Sequence, residues 1–300
     1  MLVSLTGSTG FVGRHIVDLL FTRGHRVRVL ARGSRVLPFA HPERIEKVAG
    51  DLSDAAALRT LVTGADAVIH LVGIIVEHGA QTFDAVHVEG TRAVAAAAQA
   101  AGCRRFLHMS AVGARDETGA TAYHRTKARA ESVVRESGLS AVVFRPSFIV
   151  GPGNVPVATL ARLHRLFPVV PVFGDGRFPT QPVWVGDVAL AFALAAERAE
   201  LTGTFELGGP EVMTYEDFVR AIGRAAGHPR PVVHVPLGLV RAAALGFDPL
   251  GPWAPITSDQ LQMLVEGTVT PENAIERVFG IRPAPLAEAL KFLSGPKARA

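Results

Sequence analysis

Cysteine is nearly absent: the 300 residues contain one, Cys103. A single thiol excludes an internal disulfide and any multi-cysteine metal site, and it fits a reducing compartment. Lysine is scarce as well, with Lys47, Lys127, Lys291 and Lys297 the only four among 31 basic residues. The basic residues lie singly or in pairs such as Arg104-Arg105. A net charge of +4 spread in this way offers no patch for nucleic acid. Long apolar runs are missing too. Stretches such as Ala67 to Val76 fall well short of the ~20 residues needed to span a bilayer. A strand pattern already begins at Leu2, without a signal peptide, so a cytoplasmic protein is expected. Neither His-x-x-x-His, His-Glu-x-x-His nor Gly-x-Ser-x-Gly occurs, so no metal and no serine hydrolase is expected.

What is present is a large core. Hydrophobic residues make up 48% and charged ones 19%, a globular balance. Apolar β-rich runs alternate with helical runs in the first half, the pattern of a parallel α/β sheet. Strands are expected at 2–5, 26–31, 45–49, 67–72, 105–109 and 141–144. Helices are expected at 10–23, 83–101 and 122–136. After Gly151-Pro152-Gly153 prolines become frequent and the alternation stops. A helix over 188–196 and a strand over 204–207 then suit an extension of the sheet. Thr214 and Asp217 frame a helix through Ala226, and Pro271 and Gly280 frame another. The fold expected is a Rossmann-type doubly wound parallel sheet with a smaller, partly discontinuous C-terminal domain. Residues 1–153 plus about 183–207 would bind the dinucleotide, and about 154–182 plus 208–300 would face the substrate.

Between the first strand and its helix stands Thr6-Gly7-Ser8-Thr9-Gly10-Phe11-Val12-Gly13. A turn of this kind brings backbone N–H groups and the positive end of a helix against a pyrophosphate. The second strand should end at the adenosine ribose, where an acid favours NAD. This strand ends in Ala31-Arg32-Gly33-Ser34-Arg35 with no acid. The guanidinium of Arg32, with Arg35 nearby, suits a 2′-phosphate, so NADP is expected over NAD.

These landmarks resemble the short-chain dehydrogenase/reductase superfamily in its extended or atypical branch. Others are Gly50-Asp51-Leu52, His70-Leu71-Val72-Gly73, Ser110, Tyr123-His124-Arg125-Thr126-Lys127 and Arg145-Pro146-Ser147. The stretches from His108 to Ala114 and from Gly208 to Glu211 look closer to one subgroup. It holds the nucleotide-binding accessory subunit of respiratory complex I and free-standing bacterial relatives, beside epimerase/dehydratase-like proteins. The resemblance implies a catalytic Ser110, Tyr123 and Lys127, with Lys127 also on the nicotinamide ribose. It places Asp51 and Leu52 at the adenine, Val72 and Gly73 beneath the ribose, and Pro146 to Phe148 near the carboxamide. Many relatives carry asparagine in place of His87, where it supports a relay water.

The chemistry of Tyr123 and Lys127 also stands on spacing. Residues four apart share a helix face, and an ammonium near a phenol moves its pKa from ~10 toward neutrality. Two functions follow. One is an NAD(P)-dependent oxidoreductase, reductase-, epimerase- or dehydratase-like, acting on a carbonyl or hydroxyl. The other is a non-catalytic NADP(H)-binding subunit docked on a larger complex such as a respiratory NADH dehydrogenase; homo-oligomers are also compatible. The apolar stretches Pro168 to Phe173 and Val232 to Phe247 point to a small lipophilic substrate. They are expected to close an apolar pocket, with prolines 168 and 171 holding the first as an irregular loop.

Overall fold

The computed structural model describes residues 1–33 and 37–294. The first half follows the expected alternation: β1 (Leu2–Thr6), α1 (Phe11–Thr22), β2 (Arg26–Ala31), β3 (Glu46–Ala49), α2 (Ala55–Val62), β4 (Ala67–His70), α3 (Gly90–Ala100), β5 (Arg105–Met109), α4 (Ala122–Glu136) and β6 (Ala141–Pro146). The second half adds β7 (Ile149–Val150), α5 (Val155–Leu166), β8 (Val170–Phe173), β9 (Pro179–Thr180), β10 (Val183–Trp184), α6 (Val185–Glu197), β11 (Gly203–Leu207), β12 (Met213–Thr214), α7 (Tyr215–Ala225), β13 (Val232–Val235), α8 (Leu237–Phe247), α9 (Ser258–Glu266), α10 (Ala274–Arg277) and α11 (Leu286–Ala289).

Seven strands form one parallel sheet in the order β11-β6-β5-β4-β1-β2-β3. Every residue of β1 and β4 is buried, as expected for central strands covered on both faces. On one face Ile16, Val17 and Leu20 of α1 meet Val188, Phe192 and Ala195 of α6. On the other, Leu58 and Leu61 of α2 meet Val94 and Ala98 of α3 and Phe106 of β5. Strand order reverses between β1 and β4. The crevice above their carboxyl ends is where such sheets take ligands.

Two local expectations fail. Pro171 lies within a strand, because β8 pairs only with β13 and its proline sits on an edge strand that leaves the missing donor unneeded. Pro271 does not open a helix. α10 starts at Ala274, where the Asn273 side chain accepts from the Ile275 N–H and caps it.

Candidate active site

The site is assembled at the carboxyl edge of the sheet. Gly7 has φ 72°, and a Cβ there would stand 2.9 Å from the Val72 nitrogen. A Cβ on Gly13 would collide with the carbonyl of Gly7. Glycine at both places lets the turn, the first residues of α1 and the segment after β4 pack at backbone distance. Gly10 caps α1 without a side-chain bond, so the first-turn amides are left for a ligand. Ser8 is buried and its hydroxyl has no partner among the described residues. An orphaned hydroxyl beside open helix amides fits a pyrophosphate. Thr9 and Gly10 are exposed on the rim, Phe11 is half-buried, and Val12 is core.

Just past the end of β2, Arg32 is exposed. The Asp51 carboxylate accepts from the Ser53 hydroxyl and N–H at 2.6 and 2.9 Å, and these bonds, then the charge of Arg32, hold it below its ordinary range. The helix cap that Asp51 could have supplied is made instead by Asp54, which accepts from Ala56 and Ala57. Leu52 packs its side chain against Gly90. Lys47 brings its ammonium to the carbonyl of Gly33 at 2.6 Å. No local pattern announces this second cation; strand register, with Lys47 opposite Val29, puts it there. Arg35 lies outside the described residues.

α4 carries the Tyr-x-x-x-Lys pair. Thr121 caps it by accepting from the His124 N–H at 3.1 Å, which sets Tyr123 in the first turn. Lys127 is buried and its Nζ donates to the Met109 carbonyl at the end of β5 at 2.8 Å. Burial pulls the ammonium down to about 8, opposed by Glu131. A Cβ on Gly73 would stand 3.3 Å from that Nζ, so the glycine keeps the lysine at the cleft floor. The ring of Tyr123 stands edge-on to His87 at 5.5 Å and Phe83 at 6.0 Å. Loss of solvent pushes its hydroxyl up to about 12.

Ser110 is not turned toward that pair. Its hydroxyl donates to Glu131 at 2.5 Å. Glu131, 1% exposed, also receives both arms of Arg145 at 2.7 Å. The structure thus joins Tyr123, Lys127 and Glu131 as one stripe of α4, at intervals of four, and ties Ser110 to its far end. Glu131 was missed in the sequence, although the interval that singled out Tyr123 and Lys127 leads to it.

His87 sits in a π-helical turn, Asp84–Glu89. Its Nδ1 lies 2.9 Å from the Thr126 hydroxyl, which is also within bonding reach of the Ala122 carbonyl. Nε2 lies 3.1 Å from both the N–H and the carbonyl of Ile74, in the loop after β4, so the ring bridges α4 and this loop in either tautomer. Burial, then Lys127, holds the ring neutral, with a pKa of about 3. In place of an amide beside a relay water, this chain has a neutral ring clamped between the loop after β4 and α4.

Pro146 is buried at the end of β6. Phe148 turns its ring edge to Phe218 at 5.4 Å, inside an apolar cluster with α5 and α7. The two apolar stretches meet directly, as the paired strands β8 and β13. The cavity their ends do line, about 720 Å³, is walled by Asp175, Arg177, Glu216, Asp217 and His234. α8 lies largely exposed rather than closing over the cleft.

A glycine turn at a helix terminus, a strand-order reversal and a Tyr-x-x-x-Lys helix over the same crevice define a dinucleotide-binding α/β protein of the short-chain dehydrogenase/reductase type. More narrowly, residues 3–208 match the model of the NAD dependent epimerase/dehydratase family, and the chain belongs to that family. It is 34% identical to a ceramide reductase of Caulobacter vibrioides, covering 85% of this chain and 79% of the relative. It is 27% identical to the mitochondrial NADH dehydrogenase [ubiquinone] 1 alpha subcomplex subunit 9 of Arabidopsis thaliana, covering 92% and 72%. Among solved structures, a UDP-glucose 4-epimerase of Thermotoga maritima with UDP-glucose superposes with a TM-score of 0.75. That match covers 98% of this chain and 97% of the other at 20% identity, a likeness of fold. Among the described residues no helix is long and apolar enough to cross a membrane and no cluster suits a metal ion.

Proposed function

We propose that the chain is an NADP(H)-dependent oxidoreductase that interconverts a carbonyl and a hydroxyl on a lipophilic substrate. The observation that carries this is the Tyr123–Lys127 stripe of α4, held over the cleft floor at Gly73 by the bond from Lys127 to Met109. The dinucleotide, when bound, supplies or accepts the hydride. Gly7, Ser8, Gly10 and the α1 terminus would hold its pyrophosphate. Arg32, opposite Asp51, would meet a 2′-phosphate, and Asp51 and Leu52 would border the adenine. Val72, Gly73 and Pro146 would line the ribose and nicotinamide.

In the reducing direction Tyr123 keeps its proton at neutral pH, since its hydroxyl titrates near 12. It gives that proton to the substrate oxygen as the carbonyl carbon is reduced. The phenolate left behind is stabilised by the Lys127 ammonium and regains a proton from water. Ser110 takes a smaller part: while its hydroxyl donates to Glu131 it has only lone pairs to offer and cannot donate to a substrate oxygen. The likeness to a ceramide reductase supports a lipid substrate.

A second reading rests on Tyr123 itself. Burial alone accounts for its raised pKa, with no lowering by Lys127, and relatives include a subunit of NADH dehydrogenase. A dinucleotide-binding subunit without turnover would need no more. NADPH oxidation over a panel of long-chain and polycyclic ketones in mixed micelles separates the two. Turnover that Tyr123→Phe lowers at least about 100-fold, with dinucleotide affinity within about twofold, supports catalysis. Tight NADPH binding with no turnover on any ketone supports the subunit.

A further inference from the structure

The residues of α8 are apolar around the whole helix, with Arg241 the one charge. A helix apolar all round ordinarily lies inside a core, yet only Val240 and Ala244 of α8 are buried. Leu239 and Leu245 are 65% and 66% exposed, and Trp253, just beyond the helix, is 84% exposed. The parallel pairing of β13 with β8 brings a second exposed set alongside: Phe167 and Val169 next to Val233. Exposed apolar side chains in this number mark a contact site.

Charge says what kind. Residues 155–173 and 226–247, which carry most of these side chains, hold Arg162, Arg165, Arg230 and Arg241 and not one Asp or Glu, and Glu216, which reaches this edge from α7, is paired with His234 and Arg220. At the average density of acids in this chain, that length would contain about four. A second copy meeting this face symmetrically would set arginine against arginine. An anionic lipid surface instead takes the arginines among its headgroups and the Leu, Phe and Trp side chains at the acyl boundary. The position also suits the site. Gly251 abuts the carbonyl of Glu77, in the loop that His87 clamps at Ile74. Asp259 of α9 accepts a bond from the backbone of Tyr123.

We infer that the face formed by α8, Trp253 and the β8–β13 edge docks on an anionic bilayer and sets the cleft over the membrane. This extends the proposed function, from which it takes only the lipid character of the substrate.

The test uses the full chain with vesicles of phosphatidylcholine alone or mixed with phosphatidylglycerol. The chain is expected to float with the anionic vesicles and to be released as salt rises from 0.05 to about 0.5 M. Tryptophan emission should shift to the blue and be quenched by brominated lipid, and Trp253→Phe should remove that response. Leu245→Glu with Phe247→Glu should weaken vesicle binding at least about tenfold and leave NADPH affinity unchanged. Failure to float, or equal flotation by the double variant, overturns the inference. So does a dimer in sedimentation that the double variant dissolves while vesicles go unbound. Vesicle binding without ketone turnover leaves the docking intact and removes the catalytic proposal. Turnover in micelles by a chain that ignores vesicles does the reverse.

Discussion

At the scale of single residues, the glycine turn and the Tyr–Lys pair were legible because each is a local rule. Close backbone approach requires glycine, and a shared helix face requires an interval of four. Arg32 stands out in the sequence as the residue where an acid is missing; it is exposed, and its charge helps to lower Asp51. Lys47 does not, since only pairing of β3 with β2 brings it to Gly33. Ser110 shows the opposite limit. Its place at the end of β5 could be read, but the direction of its hydroxyl depends on Glu131, 21 residues away. Arg32 carries the cofactor prediction. Arg32→Asp is expected to weaken NADPH binding at least about tenfold while NADH affinity stays within about threefold, measured by fluorescence titration. An unmodified chain that binds both cofactors equally would refute it.

At the scale of elements, the bounds of β2, β5 and α4 agree with their expected limits to the residue. Strong periodicity and clear stops explain this. β8 was read as a loop because a proline forbids a central strand, and nothing local announces that a strand will be an edge. α8 was read as a wall for the same kind of reason: an apolar run says that it will be covered, not by what. Within α4 the stripe ends in a nearly fully buried carboxylate shared by Ser110 and Arg145. Removing one partner of a buried pair leaves the other charge uncompensated. Glu131→Ala is therefore expected to destabilise the chain by about 3–5 kcal/mol in urea unfolding. A loss below about 1 kcal/mol would show that Arg145 finds water instead.

For the molecule as a whole, the acid sensitivity of the fold lies in three buried neutral imidazoles, His70, His87 and His108. His70 is held between Thr6 and Thr91 at 2.6 and 3.1 Å and stacks on His108 at 5.4 Å. Burial, then Lys127, lowers all three, His70 and His87 to about 3 and His108 also well below 6.5. Unfolding restores ordinary basicity, so below pH 6.5 the unfolded chain binds more protons and stability falls with pH until the folded values are reached. Between pH 7 and pH 5 the loss should be about 2 kcal/mol for each of His70 and His87. Urea midpoints at the two pH values would measure it, and His87→Gln should flatten the dependence. A midpoint unchanged over that range would contradict the burial of these rings.

The order of strands has a consequence for how the chain is made. β1, the earliest of these seven strands in the chain, ends up inside the sheet, with β2 and β3 added on one side and β4, β5, β6 and β11 on the other. No later strand has to be inserted between two already paired. The nascent chain can therefore grow a native sheet outward without reopening any of it. The β6 edge is bare for a time: β6 waits more than fifty residues for β11, whose end is then fastened when Asn273 bonds both the N–H and the carbonyl of Gly208. A ribosome stalled within that interval would display an apolar strand edge, the form of this protein most prone to join another chain and most in need of a chaperone.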